Sequence, residues 1–383
     1  MNKRKKIVFI RQTAIYYDSR ATKTIQALSK DFDVVVLGWN RTDEPIEQIR
    51  QKLCFDNVQF EFYDAQLKHG SGIKGLFKLA GFVSWVNKTT KKIGHIDAIH
   101  ACDLDGAVGI VHFANKKKIP IVYDIYDYYI DSHFVPSICR GLVEKLEINT
   151  INRSSCCIVC TEQRKSQIIK ASPKYLEIIE NTPKISMDEI SSTNEKTIED
   201  KKFDVVLVYV GVLMENRLLR EILEVISQHP NCLLYIGGVG ELEEYVVNSA
   251  KMHSNVKYMG KMPYTEVLKL EKKADFLFAT YNPNIANHKF SAANKIYEAM
   301  ALGKPIFVCN DTGMDAIVRD ENLGWTIDYD AESMFEIILE NFQNEELLKK
   351  IQDNALTAYK TKHSWEIMEE RLQEIYTRIL PKG

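Results

Sequence analysis

Asn294 to Val308 reads NKIYEAMALGKPIFV, a helix-forming segment that runs directly into a short apolar strand. Its small residues Ala299, Ala301 and Gly303 let the helix pack closely before Ile306 to Val308 enters a sheet. The same alternation recurs outward in both directions. Asp204 to Gly211, Cys232 to Gly237, Val256 to Met259 and Phe276 to Tyr281 are β-rich runs separated by helical stretches. The first half repeats the scheme, with strands expected at Lys6 to Ile10, Val34 to Gly38, Val58 to Phe62, Ala98 to Ala101, Ile121 to Asp124, Cys157 to Cys160 and Leu176 to Ile179. Helices are expected there at Thr22 to Lys30, Ile73 to Lys92, Asp105 to Lys117 and Leu142 to Asn152. Strands alternating with helices predict an α/β chain of two doubly wound parallel sheets, whose ligands bind at the carboxyl ends of the strands.

A chain of 383 residues exceeds what a single core usually supports, so two domains are expected. The polar run over Lys184 to Lys202 marks the join. The predicted boundaries are 1–183, a linker over 184–203, a second domain over 204–360, and a terminal helical segment over 361–383 that is long enough to pack back on the first domain. Apolar residues make up 45% and charged residues 27%, as in ordinary globular proteins. A net charge of −2 removes the basic excess that nucleic-acid binding needs. MNKRKKIVFI lacks the apolar core of a signal peptide, and no run approaches the roughly 18 apolar residues of a spanning helix. A cytoplasmic location follows as the expectation. Adjacent cysteines in CCIVC (156–160) point to opposite faces of a strand and cannot converge on one ion, so buried reduced thiols are expected.

Five features can carry chemistry. Gly237, Gly238 and Gly240 form a turn between strand and helix, where backbone N–H groups can approach a phosphate; such turns also carry glycine for purely conformational reasons. Gly211 and Val212 are followed by Arg217, whose guanidinium can clamp a diphosphate or simply be solvated. Lys295 and Glu298 share one helix face after Asn294, suited to a leaving diphosphate and a ribose; a surface salt bridge is the plain alternative. HACDLD (100–105) and YDIYD (123–127) place Asp103 and Asp127 at neighbouring strand ends, as an acceptor-orienting pair, a base, or helix caps. Lastly, Ala65 to Ile96 holds six lysines, two histidines and no acid. Lys74, Lys78, Trp85, Lys88 and Lys92 form a basic stripe opposite Leu76, Leu79, Ala80, Val83 and Val86, which suits either an anionic membrane surface or water.

GVLMENRLLREI, LLYIGGVGE, VKYMGKMPYTEVLKLEKKADFLFAT and SAANKIYEAMALGKPIFVCN, in that order, resemble the retaining glycosyltransferases of family 4. DSRATKTIQALSK, IHACDLDGAVGI and VYDIYDYY extend the likeness through the first half. The resemblance implies the GT-B fold, two facing Rossmann-like domains with a C-terminal helical segment. It places Arg217 and Lys295 on the diphosphate, Glu298 on the ribose, and Gly211, Gly237, Gly238 and Gly240 beneath the donor. Lys261 and Met262 would flank the base, Ser291 and Asn294 the donor, and Arg20 with Tyr126 the acceptor side. Three departures stand out. Phe290 occupies the position of a sugar-side glutamate, Val212 that of an arginine, and Tyr126 that of a histidine followed by Asp127.

The resemblance thus implies transfer of a sugar from a nucleotide donor to a glycan or lipid-linked glycan hydroxyl, with retention and without metal or other cofactor. Bacterial capsule-type polysaccharide synthesis at the inner face of the membrane is the implied setting. Two rivals remain: a sugar-nucleotide epimerase, and a nucleotide-sugar-binding scaffold that has lost catalysis. A metal site at Asp103 and Asp105, as a DxD motif, conflicts with a second complete sheet after residue 203.

Overall fold

The computed structural model describes residues 4–67, 72–133, 135–186, 197 and 200–381, and side chains at 72–74 are not described. Most of the linker expected over 184–203, and the side chain of Lys74, therefore lie outside the described residues. The chain divides into two compact units, Met1–Glu180 with Met368–Gly383, and Asn181–Ile367.

The first unit holds β1 (Lys6–Ile10), β2 (Asp33–Asn40), β3 (Val58–Asp64), β4 (Ala98–Cys102), β5 (Ile121–Ile125), β6 (Cys156–Val159) and β7 (Leu176–Ile178), all parallel in the order β3-β2-β1-β4-β5-β6-β7. β1 is central, with Ile7 opposite Val34 on one side and Ala98 on the other. The order reverses between β1 and β4, where a doubly wound sheet opens a crevice. Strands buried on both faces need continuous apolar runs, and Ile7 to Ile10 supplies one with no exposed side chain. Helix Trp365–Ile379 runs into this unit and anchors it through Tyr376, whose hydroxyl lies 2.8 Å from His100 Nδ1.

The second unit holds β8 (Val205–Val210), β9 (Cys232–Gly237), β10 (Val256–Tyr258), β11 (Phe276–Ala279), β12 (Ile306–Cys309) and β13 (Gly324–Ile327), parallel in the order β10-β9-β8-β11-β12-β13. β13 was not expected from the sequence. It is short and begins at Gly324, where a Cβ would lie 2.1 Å from the Ile306 carbonyl, so the edge strand depends on a close backbone approach rather than on an apolar pattern. The helix expected over Asp105 to Lys117 is broken into Asp103–Ala107 and Val111–Lys117. Between them Gly109 packs on helix Gly72–Lys92, where a Cβ would meet the Val83 carbonyl at 2.8 Å. Helix Ser137–Arg153 begins five residues before the expected Leu142, and helix Ile46–Lys52 is an addition.

The stripe expected on helix Gly72–Lys92 is also corrected. Its core face is Phe82, Val86 and Thr90, and Trp85 packs against Tyr63 and Phe82 with ring centroids at 5.9 and 6.1 Å. Trp85 is therefore part of the core and not of a basic face. Lys78 donates to the Gln66 carbonyl, while Lys88 and Lys92 are exposed. Leu76 and Phe77 stand in solvent, and Leu76, Leu79, Ala80 and Val83 line an open groove that Lys88 and Lys91 border. All eight cysteines are free thiols; six are buried, whereas Cys54 and Cys139 are exposed.

Candidate functional site

The site forms where the strand order of the second sheet reverses, between β8 and β11. β8 and β11 end side by side there, and a cavity of about 460 Å³ opens beyond them, lined by Gly211, Arg217, Tyr281, Asn294, Lys295 and Glu298 among others. Gly211 and Val212 in its lining belong to a loop that touches the Gly237 to Gly240 loop backbone to backbone. Gly211 N donates to Gly237 O at 3.0 Å and Leu213 N to Val239 O at 3.0 Å. Gly238 has φ +125°, and a Cβ there would lie 1.8 Å from Gly211 O; at Gly240 it would lie 2.2 Å from Leu213 O. These glycines are required by loop packing, and neither they nor Gly237 line the cavity. Lys261, Met262 and Ser291 also fall outside its lining, whereas Val212 is in it and 57% exposed. Phe290 closes the short turn Ala286–Phe290 ahead of the cavity's helix.

Helix Asn294–Leu302 points its N-terminus at the cavity. Its cap residue, Ala293, offers no side-chain hydrogen bond, so the first backbone N–H groups remain available to an anion. Gly303, at φ +63°, ends the helix as a left-handed cap. Arg217 sits in the turn Glu215–Arg217, its guanidinium 3.3 Å from the centre of the Tyr281 ring and its Nη1 3.4 Å from His288 Nε2. Among the described residues no carboxylate lies within ion-pair distance of it. A stacked, half-buried cation without a counter-charge suits a phosphate.

Lys295 and Glu298 do not form the surface salt bridge that spacing alone allows. Both are buried, and they stand 4.0 Å apart. The close partners of Lys295 are Glu271 Oε1 at 2.7 Å and the Val210 carbonyl at 2.9 Å. Burial by itself lowers a lysine, but Glu271 and then Glu298 outweigh it and hold the ammonium above its ordinary pKa. Burial first, and the charge of Glu298 second, push Glu271 up to about 8. Glu271 was missed because it lies 24 residues upstream on helix Tyr264–Lys273. One signal was present: it falls three and four residues after Leu268 and Val267, an acid on an otherwise apolar helix face.

The first unit gathers its expected residues at the ends of β4 and β5, but most are engaged with one another. Asp103, at φ +55°, accepts from the N–H of Tyr126 at 2.8 Å and of Asp127 at 3.3 Å, and pairs with Arg11. Burial raises its carboxyl, and Arg11 opposes that rise. With both oxygens committed, Asp103 braces two strand ends. Arg20, expected to face an acceptor, is buried and ion-paired with Asp124. Tyr126 is also interior, its ring held between the guanidinium groups of Arg11 at 4.0 Å and Arg20 at 4.1 Å. Asp127 differs: its side chain is 47% exposed, with one oxygen 2.9 Å from Arg164. Asp105 is pushed up to about 6, chiefly by burial, with His133 opposing.

Among the described residues, the group arranged to hold a metal is His100, Cys102 and Asp124, not the DxD pair. Asp124 is already bound by Arg20, whose charge repels a divalent ion, and His100 is bonded to Tyr376 and Asp124. The donor set therefore suits an internal hydrogen-bond network better than an ion.

Two doubly wound parallel sheets, the second with an anion-ready cavity at its switch point, define the GT-B class of folds. Residues 191–357 match the family model described as Glycosyl transferases group 1. No curated protein matches by sequence. Among solved structures, the chain is similar to sucrose-phosphate synthase from Thermosynechococcus elongatus, with TM-score 0.71 and 14% identity over 98% of this chain and 99% of that one. It is similar to Anabaena HepE in complex with UDP-glucose, with TM-score 0.70 and 17% identity over 97% and 99%. A putative UDP-N-acetylglucosamine 2-epimerase from Listeria monocytogenes aligns with TM-score 0.62 and 15% identity over 98% and 97%. The chain thus has the GT-B fold, and the match to the group 1 glycosyltransferase model lies within its second unit.

Proposed function

We infer that this protein is a retaining glycosyltransferase that moves a sugar from a nucleotide donor to a hydroxyl of a glycan or lipid-linked glycan, without metal, in bacterial cell-surface polysaccharide synthesis. One observation carries the reading. A guanidinium with no carboxylate partner among the described residues, a buried ammonium and an uncapped helix N-terminus converge on one cavity, with the Glu298 carboxylate one helical turn further on. Arg217, Lys295 and the N–H groups around Asn294 bind the diphosphate, and preorganised positive charge there stabilises it as it departs. Glu298, facing the same cavity, accepts the two ribose hydroxyls. Asp127, the more accessible of the two strand-end acids Asp103 and Asp127, orients the acceptor. The UDP-glucose bound by the similarly folded HepE supports a nucleotide-sugar donor.

A panel of UDP-, GDP-, TDP- and CMP-sugars tests this by thermal shift, because a ligand that binds only the native state raises the midpoint. One class should stabilise the protein and be consumed only with an acceptor, the new bond keeping the donor's anomeric configuration. The epimerase fold match favours one competing result: conversion of free nucleotide sugar with no acceptor present.

The groove of Leu76, Leu79, Ala80 and Val83, bordered by Lys88 and Lys91, supports peripheral attachment to an anionic inner-membrane surface. No helix among the described residues is long and apolar enough to cross a membrane.

A further inference from the structure

We propose that Glu271 is a positioning residue for Lys295, and that its protonation state decides whether the ammonium is available to a diphosphate in the cavity. This rests on reading that cavity as a nucleoside diphosphate site. Helix Tyr264–Lys273 buries Val267, Leu268, Leu270 and Glu271 together, so an acid occupies a place that packing would otherwise give to an apolar side chain. Glu271 is fully buried; Oε1 receives Lys295, and Oε2 meets no donor among the described residues, while the Glu298 carboxyl is close enough to share a hydrogen bond once Glu271 is protonated. Lys295 spends a second donor on the Val210 carbonyl, leaving one of three. The groups facing the pair are Glu298 from helix Asn294–Leu302, Tyr209 from β8 with its ring centre 5.4 Å from the ammonium, Tyr264 on the same helix as Glu271, and Tyr359 beyond it.

The two protonation states have opposite consequences. With Glu271 neutral, the Lys295 and Glu298 charges cancel, and the ammonium can turn to a phosphate at the cost of one hydrogen bond to a neutral acid. With Glu271 ionised, the cluster carries a net negative charge behind the phosphate position. Withdrawing Lys295 then strands a carboxylate that has no solvent and an unsatisfied oxygen. Diphosphate binding therefore favours the protonated form, the proton passing from solvent to the Glu271 carboxylate. Since burial and Glu298 already push Glu271 up, proton uptake on binding should be smallest where Glu271 is protonated beforehand and should grow as pH rises. By linkage, affinity should fall as pH rises from 7 to 9, with a slope approaching about tenfold per pH unit where one full proton is taken up.

The test titrates UDP and GDP calorimetrically into the full chain at pH 7, 8 and 9, in buffers of contrasting ionisation heat, and repeats this with Glu271→Gln, Glu271→Met and Lys295→Met. The expected result is uptake rising toward one proton in the wild type, and a flat pH profile in both Glu271 variants. A purely structural Glu271 would leave that pH slope in place. Lys295-dependent nucleotide binding without proton uptake, or with a slope that survives in a folded Glu271 variant, overturns the role of Glu271 alone. Absence of nucleotide binding, or wild-type affinity in Lys295→Met, overturns the cavity assignment and this inference with it. The wild-type buffer comparison decides even where a variant fails to fold.

Discussion

Replacing Lys295 with methionine separates the folding role of the ammonium from its binding role. The substitution removes the 2.7 Å bond to Glu271 and the 2.9 Å bond to Val210 O, while methionine refills most of the volume. A stranded buried polar group costs about 1–3 kcal/mol. An uncompensated buried charge costs about 3–5 kcal/mol. Removing Lys295 also removes the charge and the hydrogen bond that lower the Glu271 carboxyl, so in the variant burial and Glu298 push Glu271 further up and it escapes the larger penalty as the neutral acid. The variant should therefore fold at pH 7 with a lowered Tm and lose further stability at pH 9. Its effect on donor binding should be separate: a hydrogen bond between charged partners contributes about 1.5–3 kcal/mol. That corresponds to roughly 10- to 150-fold in donor affinity. Thermal unfolding at both pH values, nucleotide calorimetry and turnover measure the two effects on one preparation. A folded Lys295→Met protein with unchanged nucleotide affinity and turnover at pH 7 would refute the reasoning.

Arg217→Ala should leave Tm nearly unchanged, since no carboxylate is left behind among the described residues, yet weaken diphosphate binding by about tenfold or more. Equal affinity would return Arg217 to the status of a solvated stacking residue. Gly238→Ala forces a side chain onto φ +125° and against Gly211 O; a loss above about 3 kcal/mol in denaturant unfolding is expected, and a neutral result would contradict the loop packing. Glu147 is raised to about 8, first by burial, so folding disfavours its ionised form. Its destabilising effect is absent below the unfolded pKa, develops as pH rises, and is complete above about 8; Glu147→Gln should flatten this decline in Tm-versus-pH scans, and identical curves would refute it. Reversing the charge of Lys88 and Lys91 should release the protein from anionic vesicles in a flotation assay, and unaltered binding would count against that face.

The parallel sheets were legible because each strand is a short apolar run closed by a turn, from Ile7 to Ile10 through Ile306 to Cys309. β13 was not, since its position depends on Gly324 lying against Ile306 and not on its own side chains. The break at Gly109 likewise comes from contact with Val83, a neighbour no local pattern reveals. Periodicity on helix Gly72–Lys92 was right for Val86, Leu79, Lys88 and Lys92 but put Trp85 on the basic face, because the aromatic cluster of Trp39, Tyr63, Phe82 and Trp85 outweighs the aliphatic stripe in choosing what is buried. At the site, Asn294, Lys295 and Glu298 were readable from one segment. Glu271 is coupled to them through the fold, so local spacing pointed to Glu298 as the partner of Lys295 when the short contact is elsewhere.

A crystal structure of the full chain with the nucleoside diphosphate that stabilises it would test the central claim most directly. Phosphates are expected between Arg217 and the N-terminus of helix Asn294–Leu302, with the ribose hydroxyls on Glu298. A nucleotide bound elsewhere, with the Lys295 and Glu298 cavity empty, would contradict it.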